Sequence, residues 1–170
     1  MPKFATLTAI GVLAVALAGC GGGSKAPTTT ATPIAKDPAT SFSVANVSGV
    51  GDVVVDGKGR TVYILTSAAK KNVPCTDASG CTDAWPDLSL PDGTSAATAG
   101  SGLDASLLGT QDANGETYPT YNGYLLYEYS GDSAAGQANG QGLKSFGGTW
   151  YVLDSSGQPV TSSSSGGSGY

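Results

Sequence analysis

The residues able to do chemistry in this chain are few. Of 170 residues none is histidine, and Met1 is the single methionine. The usual general base near neutral pH and the commonest metal ligand are therefore missing. A Ser-His-Asp triad is impossible, and His/Met copper sites and His-ligated haem are excluded. A Ser-Lys dyad would need Lys58, Lys70, Lys71 or Lys144 buried beside a serine, and no local pattern places one there. Paired carboxylates for glycoside chemistry can be drawn from any acidic composition. No nucleophile–base constellation emerges, no catalytic residue is assigned, and the expectation is that the chain is not an enzyme. Asp77, Asp83 and Asp87 flank two cysteines, and Asp112, Asn114 and Glu116 share one turn. Such hard oxygen donors could hold calcium. The Asp112 turn lacks an EF-hand loop, and solvated turn formers are the plainer reading. No metal and no cofactor are expected.

The three cysteines carry the clearest chemistry. Cys20 closes an uncharged apolar run, Ala5 to Ala18, that follows one positive charge, Lys3. That matches the apolar region of a secretory signal. It is too short for a membrane span, which needs roughly 20 apolar residues. Leu17-Ala18-Gly19-Cys20 resembles a bacterial lipobox. The resemblance implies that the thiol is alkylated by diacylglycerol and that residues 1–19 are removed as a lipoprotein signal peptide. An ordinary secretory peptide or a signal anchor is the alternative. Each buried methylene of an acyl chain contributes about 0.8 kcal/mol, so two or three chains anchor durably. The expected location is the extracytoplasmic face of a bacterial membrane, with membrane lipid as first partner through acylated Cys20. Assigning Cys20 to lipid leaves Cys75 and Cys81 as a pair, oxidised in such a compartment. So short a loop gains about 2.4 kcal/mol by chain entropy. A redox-active pair is the sharper alternative, but the spacing is not the CxxC of thioredoxin-like sites.

Charge excludes further classes. Net charge is −5, or −6 once Lys3 leaves with the signal, and the eight Lys and Arg are scattered. Nucleic-acid binding rests on neutralising phosphates, and no such footprint exists. No polybasic cluster addresses anionic lipid either.

The chain divides into a flexible Gly/Pro/Thr linker over 20–41, an all-β tandem-repeat domain over 42–157 and a disordered Ser/Gly tail over 158–170. Within the domain, Val53–Val55, the turn Asp56-Gly57-Lys58-Gly59 and Arg60–Thr66 predict a hairpin. Asn114-Gly115 and Asn122-Gly123 predict two more turns, the second joining Tyr118–Tyr121 to Tyr124–Tyr129. A last strand is expected at Thr149–Leu153, and one helical turn at Thr82–Trp85. Pro119 points to an edge position. The Gly-rich stretch from Gly131 to Gly148 lacks the spacing of a phosphate loop and reads as a long connection folded over a sheet.

An internal repeat organises these elements. Gly59-Arg60-Thr61-Val62-Tyr63-Ile64-Leu65 aligns with Gly123-Tyr124-Leu125-Leu126-Tyr127-Glu128-Tyr129. Trp85 follows Tyr63, and Trp150 follows Tyr127, at nearly the same spacing. Each copy is a turn, a Tyr-bearing strand, a polar loop and a Trp strand. Two copies predict a pseudo-twofold body, a compact single domain of hairpin-based repeats with one short disulfide-closed loop. The aromatic residues have two readings: core packing with hydroxyl or indole N–H satisfied at the rim, or a groove for a ligand or partner.

Tyr127-Glu128-Tyr129-Ser130-Gly131-Asp132 fits a Yx(F/W/Y)xxD motif. With Cys75, Cys81 and Trp85-Pro86, and with Asp56–Tyr63 and Gly147-Gly148-Thr149-Trp150, the chain resembles a family of secreted lipoprotein repeats of unknown function over Gly51–Leu153. The first copy departs from the motif: Tyr63-Ile64-Leu65-Thr66-Ser67-Ala68 lacks the second aromatic and the aspartate. The resemblance brings little function with it; the anchor, the tether, the absent catalytic groups and the tyrosine-rich strands point to a non-enzymatic binding or interaction module at the cell surface, with an extracytoplasmic protein or small ligand as partner. The alternative is an accessory protein of an extracytoplasmic redox or alkane-catabolism system. The candidate ligand or partner surface comprises Tyr63, Trp85, Tyr127, Tyr129, Asp132 and Trp150.

Overall fold

The computed structural model describes residues 38–67 and 75–161. The expected signal, the acylated Cys20, most of the linker, Ala68 and the tail beyond 161 lie outside the described residues. In chain order the elements are β1 (Ser41–Val47), β2 (Gly51–Val55), β3 (Tyr63–Thr66), a one-turn helix α1 (Cys81–Ala84), β4 (Thr98–Ala99), β5 (Leu108–Ala113), β6 (Glu116–Tyr121), β7 (Tyr124–Leu125), β8 (Lys144–Ser145) and β9 (Gly148–Val152). They form three small sheets, ordered β2-β1-β4, β3-β9-β8 and β5-β6-β7. The all-β repeat architecture and the disulfide loop are thus as expected.

Turn chemistry sets much of this. Asn114 and Gly115 have φ of 54° and 86°, and Asn122 and Gly123 have 49° and 77°. Both central residues of a two-residue hairpin turn need positive φ, which Asn-Gly supplies at least cost. The first turn pairs Ala113 with Glu116 and the second pairs Tyr121 with Tyr124. At Asp56 a side-chain oxygen accepts the backbone N–H of Lys58 (2.9 Å) and of Arg60 (2.8 Å). Asp154 closes the same kind of turn on Ser156 and Gln158, at 2.9 and 3.0 Å.

Several expectations need correction. The Asp56 turn forms, with Val55 bridging Thr61, but β3 does not continue as the partner of β2. It pairs antiparallel with β9, Tyr63 opposite Val152 and Leu65 opposite Trp150. Tyr63, Ile64 and Leu65 are all fully buried, so this strand is covered on both faces and takes a distant partner. β2 pairs instead with β1, a strand whose polar SFSVANV pattern gave no signal. Trp85 lies in no strand and follows α1 directly; the next residue but one, Asp87, makes the bridge to Tyr127. Pro119 lies in the central strand of its sheet, yet β7 pairs with Thr120 and Tyr121 alone. Pro119 therefore sits past the end of that pairing, where its missing N–H breaks no ladder. The body also extends past the expected 42–157: Ala39 is buried, Leu153 bridges Pro159, and Val160 N–H donates to Val152 (2.9 Å).

The buried apolar residues fall into two clusters. One gathers Val53, Val55, Tyr63, Leu65, the disulfide, Trp85, Tyr127, Trp150 and Val152. The other gathers Phe42, Val54, Val62, Ile64, Leu88, Tyr121, Leu126 and Leu153. Alternation along Val53–Val55 and Val62–Leu65 sends successive side chains into the two clusters in turn.

Candidate functional site

The two repeat copies meet on their equivalent residues. Tyr63 N–H donates to the Tyr127 carbonyl (2.8 Å), and Tyr127 N–H donates back to the Tyr63 carbonyl (3.0 Å). Trp85 stacks on Trp150 with centroids 3.7 Å apart and planes at 3°. Within each copy the tyrosine meets its tryptophan edge to face, at 5.4 Å for Tyr63–Trp85 and 5.3 Å for Tyr127–Trp150. A residue touching its own equivalent marks a twofold axis, as in an isologous interface. The Tyr63–Val152 pair in one copy corresponds to the Tyr127–Asp87 bridge in the other. The repeat thus folds as an intramolecular dimer.

Of the six residues named as a candidate surface, Tyr63, Trp85, Tyr127, Asp132 and Trp150 are at most 2% exposed. They are interior, and offer no exposed ring face to a partner. Tyr129 is half-buried and stacks on Trp85 at 4.3 Å. The Trp150 indole N–H is satisfied by Ser145 Oγ (3.0 Å). The Gly131–Gly148 connection does fold over this cluster. Gly140 shows how closely: a Cβ there would lie 2.7 Å from a Trp85 ring carbon and 2.9 Å from a Tyr63 ring carbon.

Asp132, the motif aspartate, ties the second copy to the first. Its Oδ2 accepts from the Tyr63 hydroxyl (2.5 Å) and its Oδ1 from Asn139 N–H (2.9 Å). Its carbonyl accepts from the Arg60 guanidinium (2.7 Å). Burial and then this carboxylate push the Tyr63 hydroxyl far above the ordinary tyrosine range. Arg60 also pairs with Glu128 at 3.2 Å. Burial raises the Glu128 carboxyl, the adjacent Asp56 carboxylate raises it further, and Arg60 opposes both.

Open chemistry lies elsewhere. A cleft of about 220 Å³ is lined by Cys75, Asp77, Asp87, Asn114, Tyr118 and Tyr127 among others. Leu126 and Tyr127 are buried at its floor, and Asp77, Asp87 and Asn114 are exposed. β6 and β7 supply Tyr118 and Leu125, the disulfide loop supplies Cys75 and Asp77, and the Asn114 turn closes one side. Asp87 is raised above the ordinary carboxylate value by burial, then by the charges of Asp77 and Glu116. Tyr118 donates to Glu116 (2.5 Å). The sequence shows two acidic groups, 77–87 and 112–116, but not that the fold brings them to one opening. Asp83 and Asp112 are not among the lining residues. Among the described residues no three His, Cys, Asp or Glu side chains gather as a metal site.

The fold and cleft define a small disulfide-closed β-protein built from an internally duplicated repeat. Residues 110–154 match the model of a family described as a secreted repeat of unknown function. That segment is the second copy with its β5–β6 hairpin, and there the resemblance carried by Tyr127–Asp132 is borne out. The first copy, which departs from the motif, lies outside the match. No curated protein and no solved structure matches the chain. An extracytoplasmic location is consistent with a family so described, which brings with it no activity, no partner and no link to alkane catabolism.

Proposed function

We propose that the protein is a lipid-anchored, non-enzymatic binding module on the extracytoplasmic side of a bacterial membrane, with the cleft over Tyr127 as its ligand site. The observation that carries this is the cleft itself: a cavity of about 220 Å³ with an apolar floor and a polar rim, the form small-molecule sites take. Tyr127, at its floor, joins the cleft to the buried aromatic cluster. Anchoring follows from Cys20 and the lipobox; a Cys20→Ser variant found in the soluble fraction supports it, and one retained in the membrane overturns it. A thermal-shift screen of the full chain against metabolites, sugars and peptides tests the site. A ligand whose shift disappears in Tyr118→Ala supports the reading; a broad panel with no shift overturns it. The alternative of a redox or alkane-processing accessory rests on the resemblance alone.

A further inference from the structure

The two central tyrosines pair backbone to backbone, yet their hydroxyls end in different surroundings. The Tyr63 hydroxyl accepts from Gly140 N–H (3.3 Å) and donates to the Asp132 carboxylate (2.5 Å). The Tyr127 hydroxyl accepts from Cys75 N–H in the equivalent way. Five residues after Tyr127 the chain has Asp132; five residues after Tyr63 it has Ala68, which has no carboxylate. The Tyr127 side chain is 1% exposed. Tyr127 lines the cleft. The carboxylate that meets the tyrosine hydroxyl in one copy has no counterpart in the sequence of the other.

The rim sets the sign of what fits. Asp77 and Asp87 line the opening, Glu116 stands close enough to act on Asp87, and none of the described lining residues is basic. Like charges facing one partly desolvated space disfavour one another, and a cation between them relieves that. The carboxylates do not converge as three metal ligands, while Leu125, Leu126 and the Tyr118 ring offer an apolar wall. Aromatic faces beside carboxylates suit an organic ammonium group.

We infer that the cleft takes a small organic cation bearing an acceptor oxygen. The cationic group lies toward Asp77, Asp87 and the Tyr118 ring, and the oxygen accepts from the Tyr127 hydroxyl in the role Asp132 has for Tyr63. This rests on the binding-module reading and names its ligand class.

Three probes of one skeleton and different charge test it by isothermal titration of the full chain in detergent: choline, 3,3-dimethylbutan-1-ol and 3,3-dimethylbutanoate. Choline is expected to bind at least tenfold more tightly than the neutral alcohol, with the carboxylate weakest. Asp87→Asn, at an exposed position, is expected to cut choline affinity several-fold, as is added salt; Tyr127→Phe is expected to weaken all three probes that present oxygen. The cation class is overturned if the alcohol or the carboxylate binds as well as choline, or if Asp87→Asn leaves choline affinity unchanged. It is overturned too if all three fail while another compound occupies the cleft; in each of these cases the binding module survives. Failure of every compound, charged or not, removes both.

Discussion

Replacing Asp132 with alanine tests whether the motif aspartate is a structural clamp between the repeat copies. The side chain is 1% exposed, and its two oxygens accept from Tyr63 and Asn139. Truncation strands the buried Tyr63 hydroxyl, at about 1–3 kcal/mol, and the backbone N–H of Asn139, an exposed residue, at less. Gly140 N–H still reaches the Tyr63 oxygen, and a water entering the vacated space can relieve part of the loss. The expected loss is therefore about 3 kcal/mol, a melting-point drop of roughly 10 °C for a domain of this size. Urea unfolding of wild type, Asp132→Ala, Tyr63→Phe and the double variant gives the coupling between the two groups. A charge-assisted hydrogen bond predicts about 1.5–3 kcal/mol of coupling. A loss below about 0.5 kcal/mol for Asp132→Ala, or additive single variants, would refute the clamp. A base titration adds a second check: Tyr63 should not ionise in the folded protein.

Two further outcomes follow from the same core. Gly140→Ala sets a methyl 2.7 Å from Trp85 and 2.9 Å from Tyr63, and overpacking of that kind costs about 1–3 kcal/mol; a denaturation midpoint equal to wild type would show that the connection does not lie against the rings. Glu128 is held above the ordinary glutamate value of 4.5 by burial first and Asp56 second, against Arg60 and Lys58. A carboxyl raised in the folded state binds its proton more tightly there than when unfolded, so its contribution is fully present below 4.5 and is lost as pH rises through the folded value. Glu128→Gln should remove that fall, read as the difference between wild-type and variant stability curves because Asp87 is also raised; parallel curves would exclude Glu128 as the source.

Legibility in the sequence followed the range of the forces involved. The Asn-Gly turns could be read directly because the positive φ at both central residues is a local steric demand. The one-turn helix expected at Thr82–Trp85 forms one residue earlier, at Cys81–Ala84. β1 and β5 were not: SFSVANV and LGTQDA have no clean alternation, and β5 is mostly exposed. They are strands because a neighbour completes their ladder, β2 across the Ser48–Val50 turn and β6 across Asn114-Gly115. The Asp154 turn carries the same Asp-x-x-Gly spacing as the Asp56 turn, a local signal of the same kind.

The aromatic residues mark the boundary most clearly. Their types, order and spacing predicted a duplicated unit, and both groove and core remained open to them. Stacking of Trp85 on Trp150 and the reciprocal Tyr63–Tyr127 hydrogen bonds put that set at the axis, out of solvent. The cleft was invisible in sequence because its residues come from separate segments spread from Cys75 to Tyr127, joined where β6 and β7 meet the disulfide loop. Sequence alone determined the paired cysteines, the turns and the duplication, since each is written in neighbouring residues or in self-similarity. Tertiary structure alone decided which tyrosine hydroxyl meets a carboxylate and which tyrosine lines the cleft, because that depends on how the two copies close on each other.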